Sequence, residues 1–195
     1  MSTDPALVLV DLQRNFCDPV HNDALAEDPA AAEAMADALD ATRSFLERYR
    51  AAGGTPVFVR THQDPAWRSA ALERHRESDG APDPCLPGSP GAAFVDGLGV
   101  DDESVVVTKR RYDPFFGTDL DVYLSSNDVS RVLLAGVNTH VCVTAAAFGA
   151  VDRDYEVTVL ADCTAASSVA RHDAALDTLD VVATEVCESD RIPLD

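Results

Sequence analysis

Apolar residues in this chain fall into short unbroken runs, separated by longer stretches with helical spacing. Ala6-Leu7-Val8-Leu9-Val10 is the first run and reads as a short buried strand. Further strand-like runs stand at 55–60, 104–108, 131–136, 156–160 and 184–187. Between the first two, residues 30–52 set Met35, Leu39, Phe45, Leu46 and Tyr49 at helical intervals until Gly53-Gly54 stops them. A shorter helix is expected at 120–124, introduced by Gly117-Thr118-Asp119, whose hydroxyl or carboxylate would cap it. An alanine-rich helix able to pack closely on a sheet follows at 141–151, and another helix at 169–179.

This alternation predicts a parallel sheet with helices on both faces. The expected fold is α/β, a three-layer α/β/α sandwich around a mostly parallel sheet of about six strands, in one domain spanning residues 1–195. Such a sheet takes its ligand outside the carboxyl ends of the strands. The irregular stretch 61–102, rich in Pro, Gly, Arg and His, is long enough to shape a binding site or an interface.

Composition narrows the partners. A net charge of −19 over 195 residues argues against nucleic acid or an anionic membrane, since both are polyanions. So many acids with almost no lysine suggest a protein kept soluble in concentrated salt, where screening removes most self-repulsion. Five cysteines without a C-x-x-C pair fit reduced thiols in a cytosol. The first residues lack the pattern of a signal peptide, and no apolar run approaches the ~20 residues of a membrane helix. The expectation is a soluble cytoplasmic homo-oligomer, dimer or tetramer, acting on a small molecule.

Three strand exits carry chemistry. Asp11 follows the first run, Cys142 lies just beyond the fourth, and Lys109 ends the third. Lys109 is the chain's one lysine, against fourteen arginines. An ammonium is a compact point charge with a tunable pKa, which a guanidinium does not replace. Singly, Asp11 would as readily cap a turn, and Cys142 would as readily be an inert buried thiol. Together, an acid, a lysine and a thiol are the parts of a cysteine nucleophile site.

Val8-Leu9-Val10-Asp11-Leu12-Gln13-Arg14-Asn15-Phe16, Lys109 with Tyr112-Asp113-Pro114-Phe115-Phe116-Gly117-Thr118-Asp119-Leu120, and Gly136-Val137-Asn138-Thr139-His140-Val141-Cys142-Val143 share order and spacing with a known family. From about residue 6 to 175 the chain resembles the isochorismatase-like cysteine hydrolases, which include nicotinamidases, N-carbamoylsarcosine amidohydrolases and isochorismatases. The resemblance implies a catalytic triad of Asp11, Lys109 and Cys142. It also implies an oxyanion hole on the backbone N–H groups of Asn138 and Cys142, after a cis peptide between Val137 and Asn138. The roles make chemical sense. A free thiol is only a few per cent ionised at neutral pH, so Lys109 and the amino end of the helix near Val141 would favour the thiolate. Asp11 would take the thiol proton and return it to a leaving amine. Cys17 and Cys85, in loops without a partner motif, read as incidental, and Cys163 and Cys187 as inert.

The chain departs from the nicotinamidase pattern. Those members hold a divalent metal through an Asp-x-His pair after the second strand and a further His. Here Thr61 and Gln63 stand in the pair's places, with His62 and Asp64 one step out and His75 beyond. No metal and no other cofactor is expected. Isochorismatases cleave a vinyl ether without needing a cysteine, so Cys142 tilts the expectation toward a small amide or carbamoyl substrate and a thioester intermediate. Vinyl ether hydrolysis, a nicotinamidase and a non-catalytic ligand-binding relative remain the alternatives. Phe16, Trp67, Arg110, Tyr112, Phe115, Phe116 and His140 are candidates to line the pocket, with Arg110 or Arg111 able to meet a substrate carboxylate by a bidentate contact.

Overall fold

A computed structural model of the chain, describing residues 5–71, 73–74 and 84–194, places β1 (Ala6–Val10) inside a six-stranded, all-parallel sheet of order β3-β2-β1-β4-β5-β6. The other strands are β2 (Val57–Thr61), β3 (Val105–Lys109), β4 (Arg131–Val137), β5 (Glu156–Ala165) and β6 (Glu185–Cys187). Every residue of β1 is buried, as a strand covered on both faces requires. Its side chains alternate between two cores. Leu7 and Leu9 join Phe58, Leu133, Ala135 and Val137 on one face, and Val8 and Val10 join Val57, Val59, Val132 and Leu134 on the other.

Two short helices, α1 (Arg14–Cys17) and α2 (Asp23–Glu27), lead into the long α3 (Pro29–Ala51). Asp28 caps α3, its carboxylate accepting from Ala30 N at 3.1 Å and Ala31 N at 3.2 Å, with Pro29 in the first turn. The apolar stripe anticipated along this helix is the one that covers the first face, through Met35, Leu39, Phe45, Leu46 and Tyr49. The opposite face is covered by α4 (Leu120–Ser126), α5 (Thr144–Val151) and α6 (Val169–Val182), through Leu120, Leu124, Ala146, Ala147, Ala150 and Leu179. Truncating Phe45 or Phe58 to Ala would cost roughly 3–5 kcal/mol.

Local details differ from expectation. Of the two caps expected for α4, the Thr118 hydroxyl serves, accepting from Leu120 N at 3.2 Å, and Asp119 makes no side-chain cap; the departures lie elsewhere. β5 runs five residues beyond its expected end, after its register with β4 shifts between Leu134 and Gly136. The helix expected from residue 141 begins instead with a π turn, Thr139–Val143, ahead of α5. Among the described residues no helix is long and apolar enough to cross a membrane.

From β1 the chain builds outward to β3 on one side, then crosses back to build β4 to β6 on the other. The reversal opens a crevice between the carboxyl ends of β1 and β4, where sheets of this order bind ligands.

Candidate active site

Asp11 leaves β1 with a φ of 54°, a left-handed conformation that Asp tolerates better than most side chains. Its N–H still pairs with Val59 O at 2.9 Å, and Gln13 N turns back to Asp11 O at 2.7 Å. That turn aims the carboxylate into the crevice. There Oδ1 accepts the Thr61 hydroxyl at 3.0 Å, and Oδ2 meets Lys109 Nζ at 2.8 Å.

Lys109, the last residue of β3, donates to Cys142 Sγ at 3.3 Å and Arg111 O at 3.1 Å and forms an ion pair with Asp11 Oδ2 at 2.8 Å. Asp11 is 0 %, Lys109 1 % and Cys142 7 % exposed. Charges that deep are tolerable only when paired and fully hydrogen-bonded. Burial opposes the charge on Lys109, but Asp11 and Cys142 outweigh it and hold the ammonium above its ordinary range. Cys142 runs against expectation. Burial and then the Asp11 carboxylate push its thiol up, and Lys109 offsets them only in part.

The segment presenting Cys142 is fixed from several directions. The Val137–Asn138 peptide is cis, at the position the motif implied. Asn138 O accepts from Val141 N at 3.0 Å and Val143 N at 3.3 Å, which winds the π turn. Asn138 Oδ1 accepts from Ser167 N at 3.1 Å, tying the turn to the segment after β5. Thr139 Oγ1 lies 2.8 Å from His172 Nδ1, tying it to α6. Gly136 must be glycine, because at its φ of +119° a Cβ would stand 2.1 Å from Val10 O. β4 thus presses backbone to backbone on β1, one residue before Asp11.

Sequence reasoning missed the residues that hold Asp11 in place. The buried Gln13 amide accepts from Thr61 N at 2.7 Å and donates to Thr61 O at 3.1 Å and Ala92 O at 2.7 Å. Asn15 Oδ1 accepts from Cys85 N at 2.7 Å. Their signal was present: Gln13 and Asn15 are uncharged polar residues in the exit from an apolar strand. Cys17 and Cys85 are not loose loop thiols either. Both are buried, Cys17 within α1, and burial pushes Cys85 up to about 12.

The pocket candidates scatter. Arg110 lays its guanidinium 4.8 Å from the Trp67 ring centroid, and Arg111 donates to Trp67 O at 3.3 Å. His140 is half-buried in the π turn, its Nδ1 buried without a protein partner. Tyr112 and Phe116 are exposed, and Phe16 packs against the α3 core. Phe115 is buried in the same core as Cys142, its ring 5.9 Å from that of Tyr155 and under the Arg153 guanidinium, where the Pro114-Phe115 segment folds back against α5.

A divalent metal finds no fitting donors among the described residues. The Thr61 hydroxyl is committed to Asp11, Asp64 caps Ala66 N at 2.9 Å, and His62 sits near the cations Arg60 and Arg110. His75 lies outside the described residues.

Residues 5–191 match the model of the isochorismatase domain. The chain belongs to the isochorismatase family. Among its relatives is a protein of Arabidopsis thaliana described as a probable inactive nicotinamidase, 30 % identical over 172 residues, 87 % of this chain and 84 % of that one. The maleamate amidohydrolase of Pseudomonas putida is 25 % identical over 176 residues, 90 % of this chain and 79 % of the relative. The crystal structure of N-carbamoylsarcosine amidase from Thermoplasma acidophilum superposes with a TM-score of 0.76 at 26 % identity, covering 97 % of this chain and 98 % of that one. This isochorismatase-family hydrolase therefore shares its fold with enzymes named for cutting amide and carbamoyl bonds.

Proposed function

We propose that the protein is a cysteine hydrolase that cleaves a C–N bond of a small amide or carbamoyl compound through a thioester. The observation that carries this reading is the buried Lys109 ammonium bridging Asp11 Oδ2 and Cys142 Sγ. Burial and the Asp11 carboxylate favour the protonated thiol, so in this reading attack is coupled to deprotonation. As Sγ bonds to the substrate carbonyl carbon, its proton passes to Asp11, which leaves the Lys109 ammonium facing a carboxylic acid and a thioether sulfur, its charge balanced by the new oxyanion. The carbonyl oxygen becomes an oxyanion, received by the backbone N–H groups of Asn138 and Cys142. Asp11 returns the proton to the nitrogen, the C–N bond breaks, and ammonia or an amine departs. Water then adds to the thioester and gives one proton to Asp11. The acid leaves, and Sγ recovers its proton.

A second reading has one observation behind it: the Arabidopsis relative is described as probably inactive, which leaves room for a ligand-binding protein on the same fold. One assay separates the two. A panel of small amides and carbamoyl compounds is incubated with the protein and ammonia is measured. Turnover that falls at least about a thousandfold in Cys142→Ala supports covalent catalysis. Turnover that survives the substitution sinks it, and an intact fold without ammonia release favours the binding protein.

A further inference from the structure

The turn that presents Cys142 is wound wider than an α-helix. In an α-helix the Cys142 N–H would meet Asn138 O, the carbonyl four residues back. Here Val141 N and Val143 N hold that carbonyl, at 3.0 and 3.3 Å, and Cys142 N, between them, does not bond to it. The turn closes on Thr139, whose carbonyl accepts both Thr144 N and the Thr144 hydroxyl, the latter at 2.7 Å. A winding of this width competes poorly with the α-helix and occurs as single turns, so it lasts where something outside the turn holds it.

That hold comes from the segment where β5 gives way to α6. Ser167 N donates to Asn138 Oδ1 at 3.1 Å. His172, in the first turn of α6, sets Nδ1 2.8 Å from Thr139 Oγ1. Thr139 is fully buried, and its hydroxyl has no other partner among the described hydrogen bonds. Leaving a buried hydroxyl unsatisfied is costly, so Thr139 is pinned to where His172 stands. Burial lowers the His172 pKa, which keeps the ring uncharged near neutral pH. A hydroxyl both donates and accepts, so it meets either tautomer of that ring. We propose that His172 is a positioning residue: by holding Thr139 it keeps the turn in its wide register and the Cys142 N–H unbonded to Asn138 O. This rests on the hydrolase reading, in which that N–H receives the oxyanion. Without the anchor the turn would relax toward the α-helical register, and Asn138 O would take up the donor that the reaction needs.

Two reagents that meet Cys142 differently test this without requiring turnover. Acetaldehyde adds reversibly: sulfur bonds to the carbonyl carbon, the thiol proton moves to the oxygen, and that oxygen takes the oxyanion's place. Iodoacetamide is attacked at its methylene carbon; iodide leaves, the thiol proton is released, and no oxyanion forms. The readouts are the rate of Cys142 alkylation and the acetaldehyde concentration that halves it, with Cys142→Ala as background and glutathione as the reference thiol. The wild-type protein should bind acetaldehyde more tightly than glutathione does. His172→Gln moves the polar atoms away from the Nδ1 position, and Thr139→Val removes the hydroxyl. In both, the halving concentration should rise about tenfold, the scale of a weakened oxyanion donor, while alkylation without aldehyde stays within about twofold. His172→Asn, whose amide reaches the Nδ1 position, should recover most of the affinity. Thr139→Val serves if His172→Gln does not fold. Wild-type affinity no better than that of glutathione, a halving concentration unmoved by the substitutions, an equal loss of alkylation, or no recovery in His172→Asn overturns the inference. The hydrolase reading fails separately, by absence of ammonia release across the amide and carbamoyl panel.

Discussion

Around β1 and β4 each reacting group is held from more than one side. Asp11 has Thr61 and Lys109, Lys109 has three partners, and Cys142 sits in a turn tied to Ser167 and His172. A few ångströms outward, beyond β2 and β3, the rim is built differently. His62 and Arg110 are half-buried with few partners, and Trp67 and Tyr112 are 59 % and 49 % exposed. Under the proposed reading the difference follows from what each region would do. Bond-making chemistry needs groups fixed within a fraction of an ångström, so the fold surrounds them. At the rim, by contrast, Arg110 Nε and His140 Nδ1 are buried without a hydrogen-bond partner.

The sharpest way to break the comparison is to take one member out of the fixed centre. Asp11→Asn should cut turnover by about a thousandfold, since no group remains to carry the thiol proton. The same substitution should raise Cys142 alkylation near neutral pH. Asp11 is one of the two influences pushing the thiol up, and without it the thiolate becomes the counter-ion of Lys109. Lys109→Met should act in the opposite sense and slow alkylation about tenfold or more, and Lys109→Arg should rescue poorly because a planar fork does not fit a compact ammonium's place. Rate against pH in the three variants decides it. If Asp11→Asn lost turnover without faster alkylation, Asp11 would be acting by position and not by charge.

The centre was legible because its parts are consecutive with strand ends. A strand exit fixes where the next side chain points, so Asp11, Lys109 and Cys142 could be paired from three separate motifs, and the cis bond before Asn138 came with them. What supports them was less visible. Thr61 was read as the place of a missing metal ligand, whereas its hydroxyl serves Asp11. Its partner lies 50 residues away, a separation that no local pattern reports. The π turn at Thr139–Val143 was hidden because its composition is that of an ordinary helix start. The packing of Phe115 was hidden for a related reason. An aromatic beside a motif suits core or pocket equally well, and its contacts with Tyr155 and Arg153 come from elements far along the chain.

Gly136→Ala probes the centre through its backbone alone. The added Cβ would clash with Val10 O and N, at 2.1 and 2.6 Å, in a conformation that L residues rarely adopt. Relief requires moving β4 away from the strand that carries Asp11. The expected loss is roughly 2–5 kcal/mol of stability, measured by denaturant midpoint, with activity falling further than the unfolded fraction explains. Gly117→Ala, at a φ of +65° with open space around it, should cost less, about 1 kcal/mol, and leave activity unchanged. Equal losses at the two glycines would mean the contact between β1 and β4 is softer than its geometry implies.

The smallest effect expected is on acid stability, and it places one histidine from each region side by side. Burial lowers the pKa of His172 at the centre and of His62 at the rim, where Arg60 and Arg110 add to it. Both values then lie below those of the unfolded chain, so between them the unfolded state binds more protons. The stability these groups contribute is complete above about pH 6.5 and is lost as pH falls toward the folded values. Melting temperature should therefore decline by a few degrees on acidification through that window. The two should differ when replaced. His172→Gln removes a contact to Thr139, so it should lower stability at pH 8 while flattening the decline. His62→Gln should flatten it with little cost at pH 8, because His62 Nδ1 and Nε2 serve no neighbour among the described hydrogen bonds. Melting curves of the three proteins at pH 8 and pH 5.5 resolve this. A large penalty at pH 8 for His62→Gln would show that the rim is as firmly built as the centre.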